Sequence, residues 1–169
     1  MMPASSRFHK RPGPAALGRR GEGWLFLQVV LMALVGLSTL SSVSWPEPLA
    51  STLALAGLAL IAGGLMLLAV AAISLIAARA MTPLARPRER ASLARGGAYR
   101  LVRHPVYGAL ILIVVGSSLA GSPVGLLPTA LLALVVDRKA RVEETWFERS
   151  REYAEYRTRT PRRFLPGIY

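Results

Sequence analysis

The chain has 169 residues, of which 53% are hydrophobic, and its mean hydropathy is +0.41. A single domain of this length is too apolar for an ordinary soluble fold, so the composition predicts a membrane protein. The sequence contains no cysteine. Disulfides, thiolate metal sites and a cysteine nucleophile are therefore excluded.

Two long apolar segments follow a basic tail at residues 1–23. Residues 24–43 carry no charge, and about twenty such residues match a hydrocarbon core of roughly 30 Å. Residues 49–78 are also uncharged and are long enough to cross the membrane with a tilt. The two prolines of residues 44–48 predict a turn between these two spans.

Two shorter apolar runs, residues 105–120 and 124–136, come after an arginine-rich connector at residues 79–104. A Gly-Ser-Pro sequence separates the two runs and predicts a short helical hairpin. The charged and aromatic residues that follow, 137–169, predict a helix along the membrane surface and then a tail. The predicted fold is therefore all-α, a polytopic membrane bundle with about four transmembrane helices and a C-terminal cytoplasmic surface helix. Residues 24–169 form its single domain.

The lysines and arginines are segregated along the chain. Five precede residue 24, seven lie between residues 79 and 103, and nine follow residue 137, which together make up all 21. The positive-inside rule then places the N-terminus, the connector and the C-terminal tail in the cytoplasm. Because the cations flank helix ends instead of forming one face, the formal charge of +12 predicts membrane lipids as partners and not nucleic acid. The alanine-, arginine- and leucine-rich usage favours a bacterial cytoplasmic membrane.

The segment that opens the third predicted span carries the first group of candidate site residues. Pro105 suits the first position of a helix, so the amides that follow it would point toward the connector as an anion site. Arg103 and His104 lie at the same helix end, and Tyr99 and Tyr107 add aromatic surface and hydroxyl groups. A ligand carboxylate fits this setting. The structural alternative is a membrane anchor, a helix cap and an interfacial aromatic belt.

The second group lies on the cytoplasmic extension of the fourth predicted span. Glu143 and Glu144 are adjacent and close to the membrane, where an ionised group needs a partner such as Arg103 or a cationic ligand. Tyr153 and Tyr156 share one face of the following helix, where aromatic pairs usually serve packing.

The order of these motifs resembles the isoprenylcysteine carboxyl methyltransferase family. Gly-x-Tyr-Arg-x-Val-Arg-His-Pro-x-Tyr precedes an apolar hairpin, then Glu-Glu, Tyr-x-x-Tyr and Pro-Arg-x-x-Leu-Pro follow, so the resemblance covers residues 97–166. Phospholipid N-methyltransferases share much of this pattern. The resemblance implies a helical membrane bundle whose S-adenosylmethionine pocket lies between the hairpin and a C-terminal helix, on the cytoplasmic side.

The resemblance also implies roles for particular side chains. Arg103 and Glu144 would be catalytic, and Arg163 would orient the acceptor. Gly108 directly follows the motif tyrosine, whereas the family often has its glycine one position later, where this chain has Ala109. The implied cofactor-binding residues are Tyr99, Arg103, His104, Pro105, Tyr107, Glu143, Glu144, Tyr153 and Tyr156.

The predicted function is methyl transfer from S-adenosylmethionine to a lipid-like or isoprenoid-bearing acceptor, with carboxyl O-methylation favoured. A phospholipid amine and a thiol are the alternative acceptors. A non-enzymatic membrane protein or transporter subunit is the rival class, although the predicted spans lack the ionisable residue that a transport pathway usually shows. No metal site is predicted, because His104 has no second histidine at ligand spacing. The sequence leaves the oligomeric state open.

Overall fold

The computed structural model of the chain describes residue 17 and residues 21–78, 94–147 and 151–167. All regular secondary structure within these ranges is helical, which confirms the all-α prediction for this part of the chain. Most of the predicted N-terminal tail, residues 79–93 of the predicted connector and the last two residues of the predicted tail lie outside the described residues.

The described ranges contain five α-helices and two short 3₁₀ turns. The 3₁₀ turns cover Gly97–Arg100, before the third helix, and Pro123–Gly125, before the fourth. The helices are α1 Glu22–Ser38, α2 Leu49–Ala77, α3 Pro105–Ala120, α4 Leu126–Phe147 and α5 Arg151–Arg159.

Among the described residues, α2 is the one helix long and apolar enough to cross a membrane. Its 29 residues span about 44 Å at 1.5 Å per residue, and its most apolar window has a mean hydropathy of 2.6. A core helix of a soluble protein can be equally apolar, but only 11% of that window is buried inside the protein. The exposed apolar surface of α2 therefore favours contact with lipid. Helices α1 and α3 are apolar but shorter, with 17 and 16 residues, so the four-span bundle stays a prediction.

Helix α1 ends at Ser38, before the predicted apolar run ends at residue 43. The Ser38 hydroxyl donates to the Val35 carbonyl at 2.6 Å, and the Thr39 hydroxyl donates to the Gly36 carbonyl at 2.7 Å. Serine and threonine side chains compete with the backbone for such carbonyls. The helix thus ends where these hydroxyls bind carbonyls of its last turn, although no charge interrupts the sequence.

Helix α3 packs against α2 through glycines that remove side-chain bulk from the contact. A Cβ atom on Gly57 of α2 would lie 2.5 Å from the Gly116 carbonyl oxygen of α3, closer than atoms can approach. One on Gly64 would lie 3.0 Å from the Ala109 carbonyl oxygen. The two backbones therefore approach as closely as small residues allow.

Helices α1, α3 and α4 share a common core with the tail that follows α5. This packing brings the start of α3, the second half of α4 and the tail at residues 160–166 to one end of the molecule, named here the site end. The opposite end, where α3 turns into α4, is named the hairpin end. The buried core residues are Leu31, Val35, Tyr107, Leu110, Val114, Leu132, Val136, Ala140 and Phe164.

Candidate functional site

Two backbone hydrogen bonds join the segment before α3 to the tail after α5. The Arg103 amide donates to the Arg162 carbonyl at 3.0 Å, and the His104 amide donates to the Arg163 carbonyl at 2.8 Å. Backbone pairing of this kind holds both segments at fixed positions relative to each other. The predicted site residues of the two segments are thereby held across the start of α3.

The first turn of α3 engages two of its amides within the protein. Pro105 is the first helical residue, as its missing N–H favours. The His104 carbonyl accepts hydrogen bonds from the amides of Tyr107 and Gly108, both at 3.1 Å. Because these two amides already have an acceptor, the nearby side chains are the other candidates for anion-binding groups.

Gly108 lets the tail approach the helix. A Cβ atom at this position would overlap the Phe164 carbonyl oxygen, so only glycine fits there without a shift. The Phe164 ring is buried and lies 6.2 Å from the His104 ring and 6.4 Å from the Tyr107 ring, centroid to centroid. The glycine next to the motif tyrosine therefore seats the tail on the site.

Glu144 is surrounded by three basic side chains. Its carboxylate accepts from Arg103 Nε at 3.0 Å, from Arg163 at 3.2 and 3.1 Å, and lies 3.1 Å from His104 Nε2. Only 3% of the residue is exposed. Burial alone would raise the pKa of Glu144, but the hydrogen bonds from these three side chains outweigh it and hold the pKa well below its usual range. Glu144 is thus an ionised anchor.

Glu143 has a different environment from its neighbour. The Tyr107 hydroxyl donates to Glu143 Oε1 at 2.5 Å, and His104 Nδ1 lies 3.6 Å from Glu143 Oε2. Burial raises the pKa of Glu143, and the nearby His104, Tyr107 and Lys139 offset this only in part. Adjacent carboxyl groups with opposite shifts are typical of sites that divide binding and proton transfer between two residues.

His104 lies between the two carboxylates and stacks on Tyr107. The two rings are 5.5 Å apart at an interplanar angle of 11°. The two ring nitrogens of His104 face different glutamates, Nδ1 toward Glu143 and Nε2 toward Glu144. The histidine therefore links the two acidic residues that the sequence placed side by side.

Arg103 and Arg163 connect the carboxylates to the rest of the site end. Arg103 Nη1 donates to the carbonyls of Thr160 and Pro161 at 2.9 and 2.5 Å. Arg163 Nη1 donates to Asp137 Oδ1 at 3.2 Å while its other nitrogens bind Glu144. Arg163, a predicted acceptor-binding residue, thus lies in direct contact with the anchor.

The three remaining predicted tyrosines form a second layer beside this cluster. The Tyr156 hydroxyl donates to the Tyr99 carbonyl at 2.7 Å, and burial raises the pKa of Tyr156 to about 12. The Tyr153 ring stacks on Phe147 at 5.4 Å and is buried. The Tyr153 hydroxyl has no hydrogen-bond partner among the described residues, and Tyr153 lines a groove of about 650 Å³ along α5 together with Arg157.

Sequence reasoning missed Lys139 and Gln28. Lys139 is 2% exposed, donates to Gln28 Oε1 at 3.1 Å, and places its ammonium 5.1 Å from the centre of the Tyr107 ring. One feature of the sequence could have indicated this contact. Gln28 is the one amide side chain in the apolar run of residues 24–43. A buried amide requires a polar partner, and that partner is one helical turn before Glu143.

The described residues contain no group of three or more His, Cys, Asp or Glu side chains placed to hold a metal ion. Comparison with protein-family models, curated proteins and solved structures gives no match to this chain. The geometry of the site end and the order of motifs in the sequence are therefore the observations that bear on function.

Proposed function

We propose that the chain is an S-adenosylmethionine-dependent methyltransferase that acts on a lipid-like acceptor at the cytoplasmic face of a bacterial membrane. One observation carries the proposal. His104 lies within 3.1 Å of Glu144 and 3.6 Å of Glu143, although about 40 positions separate the two motifs in the sequence. Five of the side chains that the family resemblance assigns to one cofactor pocket therefore share one cluster: Arg103, His104, Tyr107, Glu143 and Glu144.

The charges of this cluster suit a zwitterionic ligand. The carboxylate of S-adenosylmethionine would bind His104 or Arg103, and its amino or ribose groups would bind Glu143 or Glu144, because each pairing joins opposite charges or a donor with an acceptor. The Tyr107 ring would pack beside the methyl donor. When bound, S-adenosylmethionine supplies an electrophilic methyl group, and aligning it with an acceptor contributes roughly 7–11 kcal/mol.

The aromatic layer of α5 supports the proposal that a ligand binds at this end of the protein. Tyr153 is 3% exposed, and its hydroxyl lacks a partner among the described residues. A buried hydroxyl without a partner costs about 1–3 kcal/mol, so a ligand or water that binds it restores that loss. Tyr153 also lines the groove along α5, together with Arg157.

A lipid-like acceptor follows from the membrane setting. The exposed apolar surface of α2 favours lipid around the protein, and a bundle of about four spans would place the site end at the bilayer surface. An amphiphile already in the membrane would reach the site by lateral diffusion. The family resemblance favours a carboxylate acceptor oriented by Arg103 or Arg163, with a phospholipid amine or a thiol as alternatives.

Calorimetric titration of the detergent-purified chain with S-adenosylmethionine tests the proposal. We expect micromolar binding by the wild-type chain and loss of binding in Arg103→Ala and Glu144→Ala, because each variant removes a charged group that the proposal places against the cofactor. Arg151→Ala is the control, since that side chain is 94% exposed and pairs only weakly with Glu155.

Each variant has to be folded for this comparison, so circular dichroism and a thermal melt accompany the titration. A folded wild-type chain that binds no S-adenosylmethionine in detergent or in lipid nanodiscs contradicts the proposal. The remaining interpretation would be a helical membrane protein without this chemistry, which is the rival class that the sequence leaves open.

A further inference from the structure

The two adjacent glutamates of the site differ in what their oxygens contact. Glu144 is held by Arg103, His104 and Arg163, so both of its oxygens are engaged with basic groups. Glu143 Oε1 accepts from a neutral donor, the Tyr107 hydroxyl, and Glu143 Oε2 is 3.6 Å from His104 Nδ1. A carboxylate bound by several cations is a poor proton acceptor, whereas one bound by a phenol remains basic.

The geometry points to Glu143, with Tyr107 hydrogen-bonded to it, as the catalytic residue that takes a proton from the methyl acceptor. The acceptor is then a lipid-borne ammonium or thiol. This inference rests on the proposed methyltransferase function. Of the two glutamates that could bind the cofactor, it leaves that role to Glu144 and assigns proton transfer to Glu143.

The transfer balances with these groups alone. The N–H or S–H bond of the acceptor breaks, and its proton passes to Glu143, either directly to Oε2 or through the Tyr107 hydroxyl to Oε1. The freed electron pair forms the new bond to the methyl carbon. The bond between that carbon and the sulfonium sulfur breaks, and its electron pair stays on sulfur, which leaves S-adenosylhomocysteine as the second product.

A carboxylate acceptor does not need this proton acceptor. Carboxyl groups have pKa values of about 4, so they are already ionised at neutral pH, whereas thiols near 8.5 and amines near 10.4 still carry a proton. A base beside the reacting atom therefore lowers the barrier for thiols and amines, which must lose a proton, and not for carboxylates. The arrangement at Glu143 thus favours the amine and thiol alternatives over the carboxylate.

The groups around Glu143 determine its pKa. Tyr107 and His104 face it from the start of α3, Tyr99 from the preceding turn, and Lys139 and Glu144 from its own helix. Burial raises the pKa of Glu143 above its ordinary value of 4.5, and the cationic and hydroxyl neighbours reduce that rise. A general base acts when ionised, so the rate should fall as the pH drops through this raised pKa.

The experiment compares Glu143→Gln with the wild-type chain on three acceptors, dodecylamine, dodecanethiol and lauric acid, with S-adenosylmethionine as donor. We expect the wild-type chain to methylate the amine or the thiol and kcat to fall by roughly 10²- to 10⁴-fold in Glu143→Gln, the usual effect of losing a general base. The KM for S-adenosylmethionine and its calorimetric Kd should change little. Glu155→Gln is the matched control on α5, where the glutamate is exposed.

Infrared spectroscopy gives a second measurement that requires neither donor nor acceptor. A carboxylic-acid C=O band that is present in the wild-type chain and absent in Glu143→Gln should titrate above the ordinary glutamate pKa. Its midpoint should match the acid limb of the kcat/KM profile, and the variant should lack that limb. Tyr107→Phe should shift the midpoint, because it removes the phenol that stabilises the ionised carboxylate.

The outcomes separate this inference from the proposed function. Failure of the wild-type chain to bind S-adenosylmethionine contradicts both. If the chain binds the donor, the inference is overturned when lauric acid is the one acceptor methylated, when neither amine nor thiol reacts, or when Glu143→Gln keeps its kcat. Loss of S-adenosylmethionine binding in a folded Glu143→Gln variant would also overturn it and return Glu143 to the cofactor pocket.

Discussion

The two ends of the bundle differ in the kind of polar group that they bury. At the hairpin end the buried groups are neutral hydroxyls. Ser118 Oγ lies 2.9 Å from Thr129 Oγ1 and donates to the Val114 carbonyl at 3.0 Å. Ser122 donates to the Val43 carbonyl at 2.7 Å. These contacts join helix ends through one or two neutral hydrogen bonds each.

At the site end the buried groups are charged. Arg103 and Glu144 are 7% and 3% exposed and form a direct ion pair. Burying such charges costs several kcal/mol per ion before pairing, whereas a neutral hydroxyl costs much less. The hairpin end is therefore explained by packing alone. The site end carries an electrostatic cost that packing does not require, which is the pattern expected of a functional site.

The largest test of this difference is Arg103→Ala. We expect a loss of about 3–5 kcal/mol in the free energy of unfolding, because the change leaves Glu144 buried with fewer partners and removes two carbonyl contacts of the tail. Chemical denaturation in detergent micelles measures it. A loss as small as that of the exposed control Arg151→Ala would erase the distinction between the two ends.

The second test is the response of stability to acid. The folded-state pKa of Glu144 lies below the ordinary value of 4.5, so its contribution is present above that value and is lost as the pH falls through the folded-state pKa. The thermal midpoint of the wild-type chain should drop in this acidic window. Glu144→Gln should flatten the drop, and Glu143→Gln should keep it, because the pKa of Glu143 is shifted upward.

The third test concerns close packing near the hairpin end. Gly57→Ala should cost about 1–3 kcal/mol, since the added methyl group would lie 2.5 Å from the Gly116 carbonyl oxygen and force α2 away from α3. Gly63→Ala on the same helix is the matched control, because a Cβ atom there has no neighbour within 4 Å. Equal unfolding free energies for the two variants would contradict the close contact.

The smallest expected effect is that of Ser118→Ala. Removing this hydroxyl should cost about 0.5–1.5 kcal/mol, the usual value of a neutral hydrogen bond, since Thr129 keeps a 3.3 Å contact with the Val114 carbonyl. Ser117→Ala should change stability less, because that hydroxyl donates only to Ile113 in its own helix. A Ser118→Ala loss as large as that of Arg103→Ala would mean that the hairpin end is not the simple packing region described above.

Much of the site could be anticipated from residue types and spacing. Arg103, His104 and Tyr107 sit at a helix start that Pro105 marks, and the acidic pair stands out because charges near an apolar run need partners. Their mutual contact depends on α3 and α4 forming an antiparallel pair through a short turn. The sequence showed that turn as Gly-Ser-Pro between two apolar runs.

Other features were beyond such reasoning. The shared acceptor at the start of α3 is one such feature, because the His104 carbonyl accepts the amides of both Tyr107 and Gly108. Lys139 and Gln28 lie 111 positions apart, and no local pattern connects residues at that separation. The seating of Phe164 on Gly108 likewise depends on where the tail returns after α5.

The sequence by itself determined the helical class and the candidate side chains, because hydrophobic runs, prolines and charges act through local propensity and transfer from water. It also determined that α2 is long and apolar enough to span a membrane. Only the tertiary structure decided that Glu144 is held by three basic side chains while Glu143 binds a phenol. That division depends on which groups from α3 and the tail lie within about 3 Å of each carboxylate, the range over which hydrogen bonds act. Adjacent identical residues in the sequence carry no such information.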